Sequence, residues 1–366
     1  MNNDNVNILM YRNSFLKYGS ISTNIIFEYI GCSRSPLVSI VIPTYQRTKE
    51  LKDAINSAIN QQKYEGCYEV IIVDNNSSIT CINEMTQFLS KIAYKNINIK
   101  YYQNSENIGM FGNWNRCVEL SEGEWISFLH DDDVLHPNYL LSVTEMITKN
   151  SRIEAICSNV QYFGNKSSWK NSNSSSKQNL KKIAKRYLFD EMAEIKIFDS
   201  IILNSNPYGE PSCGLILKKR NIINLGGFDE SYGAVADWFF LFRYNSNHRI
   251  YKPFFVTGFY RWEVNESMNP KTIHEFFKGF ELMRKYGSEH SKTGYYLYKF
   301  FRAEQHMLKV IELRSIIENA GLNKNSFDYI CPNKIRFFRL LILRFVNNIY
   351  KKIKRISIMI NKMMEV

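Results

Sequence analysis

Residues 37–43 read LVSIVIP and residues 69–73 read EVIIV. Both runs are short, rich in β-branched residues and bounded by turn formers. Runs of that kind are strands buried on both faces, which is the habit of a parallel sheet. Between them, residues 50–62 (ELKDAINSAINQQ) place Leu51, Ala54, Ile55, Ala58 and Ile59 on one helical face. Strand, helix and strand within about forty residues make a right-handed crossover joining two parallel strands. That unit commits the chain to an α/β sheet flanked by helices. It also puts Thr44 and Asp74, which leave the two strands, at the same carboxyl edge, where open sheets of this class bind ligands.

A third hydrophobic run, WISFL at 125–129, ends abruptly in His130, Asp131, Asp132 and Asp133. Three adjacent carboxylates repel one another unless they are solvated or share a cation. A divalent ion held by one or two of them, with water and phosphate completing its shell, is one reading. A solvated acidic turn or a helix cap is the other. Upstream, residues 97–102 are a shorter strand leading into NSENIGMFGNWNRC. Its glycines permit a sharp turn, and Asn107 and Asn113 can hydrogen-bond a polar ligand. A helix from about Asn113 to Ser121 presents N–H groups suited to a diphosphate.

Further along, residues 153–163 and 250–262 read as strands, and residues 164–180 as a polar, low-complexity loop. Asp237 stands before Trp238, Phe239, Phe240 and Leu241, at the start of a buried helix. Restricted solvation there raises a carboxyl pKa and suits a proton acceptor; capping is the alternative role. Glu210 is a second carboxylate on a nearby loop, and Arg261 can answer phosphate charge bidentately.

The seven cysteines are scattered, with no CxxC pair, which speaks against a disulfide framework or zinc knuckle and for a reducing compartment. Residues 1–35 lack the features of a signal peptide and read as a weakly structured lead-in or a peripheral helix. No uncharged apolar stretch reaches the roughly 18 residues of a spanning helix. The net charge of +12 is concentrated at the end. From 334 to 366, Lys334, Arg336, Arg339, Arg344, Lys351, Lys352, Lys354, Arg355 and Lys362 face a single acid, Glu365. Interleaved with Phe, Leu, Ile and Met, these cations fit a helix lying on a membrane surface. A packed or oligomer-forming helix is the second reading, and nucleic acid is set aside.

Taken in order, PLVSIVIPTYQR, IIVDNNSS, NIGMFGNWNRC, ISFLHDDDVLHP and GGFDESYGAVADWFFLFR resemble the family 2 glycosyltransferases of GT-A fold, over residues 36–270. The resemblance implies a mostly parallel sheet flanked by helices, after a lead-in of residues 1–35 and before a basic helical extension at 271–366. It implies that Pro43, Thr44, Tyr45 and Arg47 hold a nucleotide base and that Asp74 contacts uracil or ribose. Asp131, Asp132 and Asp133 match the DXD region, which binds Mn2+ or Mg2+ and the donor diphosphate. Asp237 matches the base that deprotonates the acceptor; Glu210 and Trp238, apart from the resemblance, are the candidate acceptor-binding residues. Three positions depart from the family pattern: His130 replaces a common Asp, Ala236 replaces the Glu of a Glu-Asp pair, and Trp262-Glu263 follows Arg261 where relatives carry a His.

These residues imply an inverting transfer from a nucleotide-sugar donor, a UDP-sugar, to a lipid-linked glycan acceptor in bacterial O-antigen or capsule assembly. The enzyme is then cytoplasmic and sits on the inner face of the cell membrane. Two alternatives are a nucleotidyltransferase, whose glycine- and lysine-rich triphosphate loop is missing from IPTYQR, and a non-catalytic sugar-nucleotide-binding subunit.

Overall fold

The computed structural model describes residues 12–92, 97–164, 192–197, 207–261, 269–290, 292–322 and 337–364. The described residues fall into two compact units. One is drawn from Met1–Phe163, Tyr208–Tyr232 and Ala236–Arg261, the other from Gly164–Pro207, Gly233–Val235 and Trp262–Val366.

The first unit is built on a mixed sheet with a parallel heart. Its strands are β1 (Thr23–Ile30), β2 (Val38–Thr44), β3 (Tyr68–Asp74), β4 (Ile97–Asn104), β5 (Trp125–Leu129), β7 (Ala155–Ile156), β10 (Cys213–Lys218) and β11 (Ile250–Pro253). They lie in the order β1-β4-β3-β2-β5-β10-β7-β11. Every residue of β2, β3 and β5 is buried, as their unbroken apolar runs require. β2 pairs in parallel with β3 from Val38↔Tyr68 to Thr44↔Asp74, and with β5 on its other side. The chain therefore moves outward from β2 to β3 and β4, then returns to β2's opposite edge. The reversal leaves a crevice between the carboxyl ends of β2 and β5.

Helices α1 (Lys49–Ile59), α2 (Ile79–Lys91), α3 (Gly109–Leu120) and α4 (Tyr139–Lys149) make the crossovers. The buried side of α1 is Leu51, Ala54, Ile55 and Ala58, the stripe that its sequence displays. A smaller sheet orders β6 (Val134–Leu135), β12 (Gly258–Arg261) and β8 (Val160–Phe163). It brings Arg261 beside the acidic turn after β5. Between β10 and β11 lie α5 (Lys219–Asn224) and α6 (Ala236–Asn247). The aromatic rings of Trp114, Phe128, Phe228 and Phe240 pack against one another in stacked, edge-on and tilted pairs.

Several expectations change here. Residues 23–30, expected as part of a weakly structured lead-in, form β1 antiparallel to β4. TNIIFEYI is rich in β-branched and aromatic residues and none of them is fully buried, as suits an edge strand, which a reading centred on unbroken buried runs passes over. Residues 153–163 and 250–262 each break into two short strands shared between the two sheets. Helix α3 starts at Gly109 rather than near Asn113. Gly109 has φ of 75°, which lets the chain turn sharply into the helix and leaves Asn113 a full turn inside it. Cys32 and Cys67 are bonded, with Cα atoms 6.1 Å apart, contrary to the expectation of free thiols. Cysteines 35 residues apart carry no local pairing signal, and the sheet alone brings them together. The polar loop expected at 164–180 lies, beyond Gly164, outside the described residues, as does Glu263.

The second unit contains β9 (Met192–Ile195), α7 (Pro270–His290), α8 (Lys292–Glu312), α9 (Arg314–Asn319) and α10 (Phe337–Met364). Ile273, Phe277, Val310 and Ile317 form one core cluster. Leu297 and Leu343 form another, flanked by Phe301, Leu308 and Tyr350. No helix among the described residues is long and apolar enough to cross a membrane.

Candidate active site

The crevice between β2 and β5 collects the polar residues of the first unit. Thr44, the last residue of β2, donates from Oγ1 to Asp131 Oδ2 at 2.8 Å. Arg47 Nη1 lies 2.8 Å from Asp131 Oδ1 and 2.5 Å from Asp132 Oδ2, so one guanidinium nitrogen serves two carboxylates. Burial pushes Asp131 up to about 6, against the opposing pull of Arg47. The turn that carries Arg47 is itself constrained. Gln46 has φ of 55°, and its N–H donates to Ser77 Oγ at 2.7 Å, tying the β2 turn to the β3 turn. A non-glycine residue held in that region is a sign of imposed geometry.

Asp133 faces another way. Its Oδ2 accepts from Ser212 Oγ at 3.0 Å and its Oδ1 from the Arg261 N–H at 2.9 Å. Burial raises it well above the ordinary carboxylate range, with the charge of Asp132 adding to the effect. Arg261 reaches back across the acidic turn. Its Nε donates to the Asp132 carbonyl at 2.9 Å, and its Nη2 pairs with Asp53 of α1 at 3.0 Å. The triplet is thus divided: Asp131 and Asp132 meet Arg47, while Asp133 braces the smaller sheet.

Asp74 ends β3 and is 2% exposed. Its Oδ1 accepts from the Ser77 N–H at 2.5 Å, and burial raises its pKa. Pro43 is buried in β2, and the Tyr45 side chain is exposed at the rim. Asn107 accepts from the Gly109 N–H at 2.9 Å and from Asn75 Nδ2 at 2.8 Å, shaping the entry to α3. Asn113 is engaged inside the fold. It donates to the Val73 carbonyl at 2.9 Å and accepts from Asn104 Nδ2 at 2.9 Å.

Asp237 lies in the first turn of α6 and accepts from the Trp238 N–H at 2.8 Å. Burial pushes it up to about 7; that N–H opposes the shift, and the nearby charge of Glu210 adds to it. The Glu210 charge also raises Asp133, after burial and the charge of Asp132. Glu210 is raised by burial and accepts from Tyr162 OH at 2.9 Å. His130 is drawn down to about 4 by burial and packs edge-on against Trp114, so it is neutral at pH 7. Sequence reading missed Asp53, Ser212, Ser77 and Tyr162. Each is an ordinary polar residue whose partner lies far along the chain, so no spacing rule marks it.

Among the described residues, no three His, Cys, Asp or Glu side chains converge as a protein-built metal cage. A Mg2+ or Mn2+ ion bound with water and phosphate needs one or two protein carboxylates. Asp131 and Asp132, turned toward a single positive group, fit that smaller requirement. Asp133, committed to Ser212 and Arg261, does not.

The Glycosyl transferase family 2 model matches residues 39–204. Over that segment the chain is similar to glycosyl transferase family 2. The matched segment holds β2 from Ser39, β3 to β5, the Arg47 turn and the whole acidic triplet. A Campylobacter jejuni relative, the GalNAc(5)-diNAcBac-PP-undecaprenol beta-1,3-glucosyltransferase, is 33% identical over 101 residues, 27% of this chain and 31% of its own. Three further curated relatives are spanned over 44%, 32% and 54% of their length. Residues 1–349 of S. aureus TarS, solved in complex with UDP-GlcNAc, superpose with a TM-score of 0.51 at 18% identity, covering 77% of this chain and 79% of that one. A Pyrobaculum calidifontis mannosyltransferase in complex with GDP-Man and Mn2+ gives 0.50 at 12% identity, covering 89% and 84%. These two establish a shared fold, the GT-A architecture.

Proposed function

We propose that the protein is an inverting glycosyltransferase. It moves a sugar from a nucleoside-diphosphate sugar, a UDP-sugar, to a hydroxyl of a lipid-linked glycan. The carrying observation is Asp237, a buried carboxyl in the first turn of α6 that burial pushes up to about 7. A base poised near neutral pH takes an acceptor proton without being locked in its ionised form. The acceptor oxygen forms a bond to the anomeric carbon as the bond to the donor's diphosphate oxygen breaks. Its proton passes to Asp237, and the nucleoside diphosphate departs with the electron pair. Thr44, Arg47 and Asp74 hold the nucleotide at the rim, and Arg47 and Arg261 face the phosphates. Asp131 and Asp132 hold Mn2+ or Mg2+, which supplies charge neutralisation of the leaving diphosphate when bound.

The acceptor's lipid carrier is supported by α10. Leu340 and Leu343 of this helix are buried, whereas Phe338, Phe345 and Ile353 are 73%, 65% and 57% exposed. Leu341 and Ile349 lie on the exposed side with them, accompanied by Arg339, Arg344 and Lys352. An apolar stripe rimmed by cations fits the headgroup zone of an anionic membrane. The Campylobacter jejuni relative, whose name gives an undecaprenol-linked substrate, points the same way. Assembly of a bacterial surface polysaccharide on the inner face of the cell membrane follows from this reading. A panel of UDP- and GDP-sugars incubated with the full chain and Mn2+ tests it: one donor should release free nucleotide, faster with an added lipid-linked glycan. Absence of release from every donor, with no nucleotide binding by calorimetry, defeats the proposal.

A further inference from the structure

Helix α8 carries an open aromatic arc that the chemistry above leaves unused. Tyr295, Tyr296 and Phe300 are 46%, 58% and 44% exposed, although each is large. The Tyr296 and Phe300 rings stack with centroids 6.2 Å apart and planes 6° from parallel, and Tyr295 meets Tyr296 edge-on. Lys299 lies across the cluster. Its Nζ is 5.4 Å from the centre of the Tyr295 ring and 5.7 Å from that of Phe300, and it donates to Tyr295 OH at 3.3 Å. The cation is held on aromatic faces.

At 3.6 residues per turn, these four side chains make one contiguous arc of about 140°, beginning beside Leu297. Leu297 packs with Leu343 of α10, so the arc flanks the seam between the two helices. Arg339 of α10 shows which side of α10 adjoins it: its Nη1 donates to the Phe300 carbonyl at 3.1 Å. Arg339, Val346 and Ile353 recur every seven residues, about 20° apart around the helix, and Val346 and Ile353 are exposed. The arc of α8 and this stripe of α10 therefore meet across the seam. Their charge is one-sided. The sequence from Lys292 to Ala303 contains no acid, and neither does α10. Lys292, Lys299, Arg344 and Lys352 are exposed. Nucleic acid answers such cations but leaves the apolar residues between them in water. The headgroup zone of an anionic bilayer answers both, with tyrosine at its boundary and lysine reaching the phosphates.

We propose that the first turns of α8 are a second membrane-contact element, seating Tyr295, Tyr296 and Phe300 in the headgroup layer of an anionic bilayer beside α10. The bilayer as partner rests on the reading of α10 above; that α8 shares the contact rests on the geometry of the seam. One helix lying on a surface leaves rotation about its own axis free. Two helices touching it side by side fix that rotation, and so fix how the helical unit faces the lipid.

The test uses the full chain and vesicles of phosphatidylglycerol mixed with phosphatidylcholine, with partitioning measured by co-flotation. Tyr296→Ser combined with Phe300→Ser should weaken partitioning about tenfold or more, the scale of withdrawing two aromatic side chains from the headgroup layer. Lys299→Gln should weaken it about fivefold at low ionic strength and leave it unchanged at ~1 M salt. Both variants should melt in solution at the wild-type temperature, since the altered side chains are open. Tyr296→Trp should add blue-shifted emission over wild type when vesicles are present, quenched by brominated lipid. Equal partitioning of wild type and both α8 variants overturns the second contact and leaves the α10 reading standing. Absence of flotation by the wild type defeats both. Equal partitioning onto pure phosphatidylcholine overturns the anionic partner. A wild-type dimer that dissociates in the double variant, seen by sedimentation, also overturns the proposal, because a second copy of the chain then covers the arc.

Discussion

Asp237 carries the most specific consequences at the scale of the residue. Asp237→Asn should lower turnover by about 10²–10⁴-fold, the usual worth of general-base assistance, and leave UDP affinity unchanged. Wild-type kcat/KM should rise with pH through about 7, because only the ionised carboxylate accepts a proton. The same shift acts on stability with the opposite sense. The unfolded group titrates near 3.8 and the folded one near 7, so the folded state retains a proton that the unfolded state has lost. Its contribution is full below 3.8 and is lost as pH rises through 7. Denaturant midpoints at pH 5 and pH 8 should converge in the Asn variant relative to wild type; an unchanged difference contradicts the assignment.

Arg47 makes the second residue-scale prediction, because its guanidinium sits where two carboxylates need positive charge. In Arg47→Gln, the Asp131–Asp132 pair loses its counter-ion. Stability at pH 8 should fall by about 1 kcal/mol, discounted because the Arg47 side chain is 41% exposed. The deficit should shrink as pH falls through about 6, where Asp131 takes up a proton. Manganese binding without nucleotide, followed by electron paramagnetic resonance, should tighten in this variant, since the competing cation is gone. Weaker manganese binding argues that Arg47 does not compete for the site.

At the scale of the element, α10 has two apolar stripes and only one is covered by α8. Its periodicity is visible in the sequence; which stripe remains open is decided by packing. Phe345→Glu with Ile353→Glu should abolish flotation of the full chain with anionic liposomes, each change removing about 1.5–3 kcal/mol of apolar insertion. Thermal stability should be unaffected, as both side chains lie open; retained flotation removes the membrane role. The Gly226-Gly227 turn is a different kind of element. Gly227 has φ of 75° and packs against the Asn115 amide, which itself bonds Phe228 N and O. Gly227→Ala should cost about 1–3 kcal/mol, read as a lower denaturant midpoint.

At the scale of the whole molecule, the first unit is a sheet whose order reverses at β2, and the reversal makes the crevice. Cys32–Cys67 closes a loop of 35 residues at the opposite, amino end of β2 and β3. By loop entropy, reduction should lower stability by about 2–4 kcal/mol, and the denaturant midpoint should drop on adding a thiol reductant. Nucleotide binding, at the other end of the strands, should persist; its loss on reduction shows that the bridge supports the crevice.

The chain's own order of residues determined the α/β class, the parallel pairing of β2 with β3 and the edge where their loops emerge. Unbroken β-branched runs and a 3.6-residue apolar stripe are local patterns, and local patterns carry their own period. The family motifs also named the acidic turn and Asp237 from one-dimensional order alone. Only the tertiary structure decided that Asp131 and Asp132 share Arg47 while Asp133 turns to Ser212, and that β1 caps the sheet. It alone joined Cys32 to Cys67 and set the Tyr162 hydroxyl on Glu210. Those outcomes depend on which distant groups burial forces together, and a buried carboxylate takes whatever donor the fold brings within reach.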